Sequence, residues 1–276
     1  MTDRHERFAE LHRAGTFLIP NAGDAATAAI IELAGAVAIA TSSGAHAASI
    51  GRSDAAGEVS RNECVERTAQ IVHATSLPVS VDAEEGYGAT PEDVADTVRL
   101  LADVGASGAS IEDWSGDADR GFFSLDEATA RVAAACEAAR SLGHPFVITA
   151  RTEAFLHPAA FPGGPTVEAV VERLASFASV GATCLYAPGD NRIDTLRRIV
   201  TETGGNVNAL VPLQSQQTME QLADAGVRRV SLGASLYRVA LGHIRDTVGA
   251  MIETKTFDHG ALPVSSAQLD ELLHRY

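Results

Sequence analysis

The sequence predicts one (β/α)8 barrel, on three observations. Short β-branched runs ending in a polar residue alternate with Ala-rich amphipathic segments eight times along the 276 residues. Ala34-Gly35, Val104-Gly105, Val180-Gly181 and Ala225-Gly226 each close an amphipathic segment just before the next run, where a glycine ends a helix and returns the chain. The first run is not followed by Gly-x-Gly-x-x-Gly, so an open doubly wound sheet lacks its usual support. A hydrophobic content of 46% is enough for one full core, and no linker divides the chain.

Residues 17–20 form the first strand, and Asp24 caps the helix that runs to about Leu33. The second strand, 36–41, ends on Ser42, Ser43 and Gly44, and a longer loop with Asp54 and Gly57 leads to a helix over 60–75. Ser60 and Glu63 at its start make a capping-box pattern. The third strand, 78–81, stops at Asp82, Glu84 and Glu85 before a Gly86-Tyr87-Gly88 turn, and Thr90 with Pro91 begins the next helix. The fourth strand, 107–111, ends in Glu112-Asp113 and is followed by a helix over 124–142; the fifth, 145–150, ends at Arg151 and is followed by a helix over 166–180. Strands at 182–186, 207–210 and 229–232 alternate with helices at 193–203 and 218–225. A closing helix from 234 to about 253 and a helical tail over about 255–276 finish the single domain.

Lys and Arg number 21 against 36 Asp and Glu, a net charge of −15, which excludes phosphate-backbone binding and an anionic membrane surface as partners. The N-terminus is charged and amphipathic rather than a signal peptide, and no apolar run reaches the roughly 18 residues of a membrane span, so a cytoplasmic location is expected. Cys64, Cys136 and Cys184 show no CxxC spacing and read as small buried hydrophobes.

Reactive groups of such a barrel sit at the C-terminal ends of its strands. Those ends carry Asn21, Ser42 with Ser43, Asp82 with Glu84, Glu112, and Arg151 with Glu153. Acid crowded at a strand end is costly unless a cation offsets it, and hard carboxylate oxygens suit Mg²⁺, or Mn²⁺. Mg²⁺ keeps several waters, so Asp82 is the expected direct ligand, with Glu84 and Glu112 holding metal-bound water. Arg151 stands ready for a substrate anion, and the amides of Ser43, Gly44 and Ala45 could form a carboxylate nest. The bland alternatives are a solvated acidic turn and an Arg151 that only bridges Glu153 or Glu112.

Leu18-Ile-Pro-Asn-Ala-Gly-Asp24, Thr41-Ser-Ser-Gly44, Gly51-Arg-Ser-Asp54, Val81-Asp-Ala-Glu-Glu-Gly-Tyr-Gly88, Ile111-Glu-Asp113 and Ala150-Arg-Thr-Glu-Ala-Phe155 occur in that order. Together they resemble the isocitrate lyase / phosphoenolpyruvate mutase superfamily over about residues 17–233. The resemblance implies a (β/α)8 barrel, Mg²⁺ dependence, and 2-oxo or 2-hydroxy acid substrates handled through an enolate-like intermediate. It also implies a homo-oligomer, tetramer or dimer, in which subunits swap the last barrel helix. By the same resemblance Asp82 is the direct metal ligand, Glu84 and Glu112 the water-mediated ones, Ser43 and Gly44 the carboxylate-binding pair, and Arg151 the substrate-binding arginine. Asp54 matches an aspartate on a mobile loop, and Tyr87 either contacts substrate or packs beside the metal.

The chain departs from that family in its lid. The family's carbon–carbon lyases carry a Lys-Lys/Arg-Cys-Gly-His segment after the Glu-Asp pair, whereas residues 113–124 here hold neither cysteine nor histidine. The phosphonomutase branch uses a lid asparagine and a histidine after the sixth strand, where this chain has Trp114-Ser115-Gly116 and Tyr186-Ala187-Pro188-Gly189. The expected activity is therefore a Mg²⁺-dependent carbon–carbon lyase or decarboxylase on a small, oxaloacetate-like 2-oxo or 2-hydroxy dicarboxylate. Alternatives are a mutase or hydrolase acting on a carbon–phosphorus bond, and a non-catalytic binder of 2-oxo acids. Asp54, Tyr87 and Glu153 are the weak candidates for the missing acid–base group, and Trp114 with Phe122 could wall the substrate or only pack the loop.

Overall fold

Pro20 has no amide hydrogen to give to a ladder, and the first strand breaks there into β1 (Phe17–Ile19) and β2 (Asn21–Ala22). In the computed structural model, which describes residues 3–54, 57–258 and 264–273, the two halves close the ring. β1 pairs with β9 (Arg229–Ser231) and β2 with β3 (Ile39–Thr41). Between them run β4 (Val79–Asp82), β5 (Gly108–Glu112), β6 (Val147–Arg151), β7 (Cys184–Tyr186) and β8 (Asn206–Leu210), every neighbour parallel and in chain order. This is the expected barrel, with its first strand split by the proline. Asn21 staples the seam: its amide donates to the Thr41 carbonyl at 2.7 Å and its oxygen accepts the Leu232 amide at 2.9 Å.

The helices are α1 (Arg4–Leu11), α2 (Ala25–Leu33), α3 (Ser43–Ser49), α4 (Arg61–His73), α5 (Pro91–Asp103), α6 (Leu125–Ser141), α7 (Val167–Ser179), α8 (Ile193–Thr203), α9 (Met219–Asp224), α10 (Ser235–Thr254) and α11 (Ser266–Leu273). Local chemistry starts most of them. Asp24, Ser60, Thr90 and Thr218 form capping boxes, satisfying amides that would otherwise be orphaned at the first turn.

Two helices were not expected. α1 begins in the charged N-terminal stretch, yet its Phe8 is fully buried with Phe17, Ile19, Ala38 and Val147 at the N-terminal ends of the strands, where it plugs the barrel floor. Gly108 makes room for it, since a Cβ there would lie 3.0 Å from the Phe8 ring and 2.5 Å from the Val147 carbonyl. α3 occupies what reads as a loop. Ser42 caps it, and burial of Ala45 and Ala47 supplies the packing that Ser43 and Gly44 conceal in the sequence.

α10 is the outlier. None of its residues is buried, and Val239, Ile244, Val248 and Ile252 stand about half exposed or more, at 55%, 59%, 48% and 63%. Among the described residues no helix is long and apolar enough to cross a membrane.

Candidate active site

The site grows from the end of β4. The Asp82 amide donates to Thr41 Oγ1 at 2.8 Å, while its carboxylate accepts the Ser43 amide at 3.1 Å and Ser110 Oγ at 3.3 Å, so the neighbouring strands fix it on both sides. The chain then turns sharply. Glu84 and Tyr87 adopt φ of 47° and 56°, a left-handed conformation that costs a residue with a Cβ about 1 kcal/mol or more. The Glu112 amide holds the turn through the Glu84 carbonyl at 2.9 Å. A buried arginine of α6 holds it from outside: Arg131 donates to the carbonyls of Glu85, Gly88 and Ala89 at 2.7, 2.8 and 3.2 Å and lies over the Phe123 ring. Arg173 of α7 does the same for the next strand end, meeting Asp113 Oδ2 at 3.2 Å and the Phe123 carbonyl at 3.1 Å.

Arg151, at the end of β6, divides its guanidinium among three carboxylates. Nη1 lies 3.3 Å from Asp82 and 3.4 Å from Glu112, and Nε contacts Glu153. One cation among so many acids leaves negative charge in surplus. Burial, then the Asp82 charge, pushes the Glu84 carboxyl up to about 7; the same two causes raise Asp54. Burial drives Glu112 well above the usual carboxylate range, although Arg151 opposes it. A hard divalent cation fits this donor set, because it would supply the charge that Arg151 cannot. No three His, Cys, Asp or Glu side chains among the described residues converge tightly enough to ligate one ion together. A cation here could take one carboxylate directly, such as Asp82, and reach Glu84 and Glu112 through water.

Ser43, Asp54, Glu84, Glu112 and Arg151 line one open cavity of about 640 Å³, together with Trp114, Glu153, Leu156 and His157. A second, deeper cavity of about 390 Å³ shares Ser43, Asp54 and Arg151 with it and adds Asp82 and Asn21. Gly44 lets the Asp54 loop settle over the mouth: a Cβ would stand 2.7 Å from Asp54 Oδ2. The amides of Ser43 and Ala45 are already engaged, by Asp82 and by Ser42 Oγ, which leaves less of a carboxylate nest than the run of small residues suggests. Asn21 reaches the deeper cavity with both ends of its amide bound to backbone, so it closes the barrel seam. Tyr87 donates its hydroxyl to Glu84 Oε1 at 2.9 Å and does not line the mouth cavity, so it touches this group of residues by way of Glu84.

Three residues escape a reading of the sequence. Arg131 and Arg173 leave only a faint signal, an arginine on the apolar face of an amphipathic helix. His157 lies outside the lid yet meets it in space: its ring stacks on Trp114 with centroids 4.2 Å apart and planes 7° off parallel. The lid itself is a small antiparallel loop, Trp114 bridging to Phe122, whose ring abuts Phe161.

Residues 8–252 match the family described as phosphoenolpyruvate phosphomutase. A crystal structure from Burkholderia cenocepacia J2315, assigned provisionally as a lyase or mutase, is 38% identical and superposes with a TM-score of 0.90 over 97% of this chain and 95% of that one. The oxaloacetate decarboxylase of Pseudomonas entomophila (strain L48) is 28% identical over 79% of this chain and 72% of its own. A Corynebacterium glutamicum (strain ATCC 13032) protein, provisionally named a 2-methylisocitrate lyase, is 30% identical over 72% of this chain, a match that spans 64% of the relative's length. At 21% identity, oxaloacetate acetylhydrolase bound to oxalate shares the fold, with a TM-score of 0.86 over 98% of this chain and 94% of that one. The chain belongs to the phosphoenolpyruvate phosphomutase family, within the isocitrate lyase / phosphoenolpyruvate mutase superfamily.

Proposed function

We propose that this protein is a Mg²⁺-dependent carbon–carbon lyase or decarboxylase acting on a small 2-oxo or 2-hydroxy dicarboxylate of the oxaloacetate type. The observation that carries the reading is the constellation on three consecutive strand ends, Asp82 at the end of β4 with Glu84 just after it, Glu112 on β5 and Arg151 on β6, around two adjoining cavities that share Arg151. The names of the decarboxylase and lyase relatives support the same class. When bound, the cation supplies Lewis acidity toward the oxygens of a 2-oxo acid. Arg151 receives the remote carboxylate through its planar fork, in exchange for part of its present pairing with Asp82 and Glu112. Ser43 and Asp54 line the mouth above it, and Trp114 narrows the route for water. The test is a panel of 2-oxo and 2-hydroxy acids assayed with Mg²⁺ for release of CO₂ or pyruvate. Turnover of at least one dicarboxylate is expected, and a panel without turnover overturns the proposal.

No thiol is needed in this account. Cys64, Cys136 and Cys184 are buried, and burial pushes the first two thiols up to about 12 and about 11, far from a working acid or base. A variant with all three replaced by alanine or serine is expected to keep turnover within a few-fold of wild type while losing about 1 kcal/mol or more of stability per site. A folded but dead variant would return the chain to thiol-dependent cleavage.

The raised Glu84 pKa gives Mg²⁺ binding a direction with pH. The folded protein holds this proton up to about 7, the unfolded chain only to its ordinary 4.5, so metal-free stability falls as pH rises between them. Below about pH 7 a cation must expel that proton. Apparent Mg²⁺ affinity by calorimetry is therefore expected to be weaker at pH 6 than at pH 8, with more protons released on binding; equal affinities would remove Glu84 from the site.

The bare face of α10, with Val239, Ile244, Val248 and Ile252 turned to solvent, supports a homo-oligomer in which a second copy covers that helix.

A further inference from the structure

We propose that His157 is the acid–base residue of this site, the group that delivers a proton to the substrate carbon in place of a lid thiol. The inference rests on the lyase or decarboxylase reading above. Among the described residues His157 is the one histidine lining the mouth cavity, where it shares the wall with Glu84, Glu112 and Arg151. The other candidates are engaged: the Tyr87 hydroxyl on Glu84, Glu153 on Arg151, and Asp54 against Ser43 and Gly44.

The imidazole is built into place. Its backbone closes a turn, donating its amide to the Glu153 carbonyl at 3.0 Å and accepting the amide of buried Phe161 at 3.1 Å. One ring face is covered by Trp114, and Phe122 approaches with centroids 6.5 Å apart. Nε2 lies 3.9 Å from Glu153 Oε2, too far for a hydrogen bond to tie up the ring nitrogen. The charged groups facing the ring are thus Glu153 and, beyond it, Arg151, while the lid offers only aromatic surface. The side chain is 41% exposed, which leaves water a route to it.

For a 2-oxo acid with a carboxylate on C3, the bond from C3 to that carboxylate breaks, CO₂ leaves, and the electron pair passes into the C2–C3 enolate. C3 then takes the proton of the His157 imidazolium, and the neutral ring recovers one from water through its exposed edge. The stacked indole fixes the plane of the ring and so the face of the enolate that is protonated.

The test uses the full chain with Mg²⁺, the dicarboxylate that wild type turns over, and oxalate as a stable mimic of the enolate. His157→Gln is expected to lower kcat by about 10²–10⁴-fold, with KM and oxalate affinity within a few-fold of wild type. His157→Ala is expected to regain part of that rate on addition of imidazole, with saturation, which a merely structural histidine would not show. A His157→Gln variant with kcat within threefold of wild type overturns the inference and leaves the lyase reading standing. So does a His157→Ala variant that imidazole does not rescue, or a variant that loses oxalate binding along with turnover. A wild-type protein that turns over no acid of the panel overturns both.

Discussion

Asp82→Ala is expected to abolish turnover, by at least about 10³-fold, and to remove Mg²⁺ binding measured by calorimetry. Asp82 is the carboxylate on which the site converges, met by the Ser43 amide, the Ser110 hydroxyl and Arg151. Its loss leaves Glu84 and Glu112 to hold an ion through water alone. The fold should survive, because the deletion also relieves repulsion that now raises Glu84, Asp54 and Glu112. Single Glu84→Gln and Glu112→Gln variants should lose less, about 10–100-fold in metal affinity, as groups acting through water do. Unchanged Mg²⁺ affinity in Asp82→Ala would sink the assignment.

Arg151→Lys is the second large effect. Lysine keeps the charge but cannot offer two parallel N–H groups to a carboxylate, nor divide itself among Asp82, Glu112 and Glu153 as the guanidinium does. At about 1.5–3 kcal/mol for a charge-assisted hydrogen bond, a drop of about 10–150-fold in kcat/KM for a dicarboxylate is expected. Kinetics equal to wild type would take Arg151 out of the site.

The barrel was legible because its signals are local. Glycines at Gly35, Gly105, Gly181 and Gly226 adopt φ of 90°, 90°, 109° and 84° behind their helices, and capping residues stand where the helices begin. The carboxylates and Arg151 were legible because they stand at strand ends: Asp82, Glu112 and Arg151 are the last residues of β4, β5 and β6, and Glu84 comes two positions after β4. What stayed hidden is tertiary. Nothing in the charged stretch around Phe8 says that it fills the barrel floor, and Asn21, chosen as a substrate contact from its place at a strand end, is taken up by the seam that Pro20 opens. The arginine clamp on the turn after β4 joins Arg131 to residues 85, 88 and 89, more than forty positions earlier in the chain. His157 escaped for the same reason. A search for a lid acid runs over residues 113–124, and the imidazole that meets Trp114 comes from the loop after the next strand.

The measurement that bears most directly on this account is anomalous diffraction from crystals of the protein soaked with Mn²⁺ and oxalate. The account predicts one strong peak at the barrel mouth, about 2.0–2.2 Å from a carboxylate oxygen of Asp82, with Glu84 and Glu112 reaching it through water and oxalate completing the coordination beside Arg151. A mouth without a peak, or an ion held away from Asp82, would contradict it.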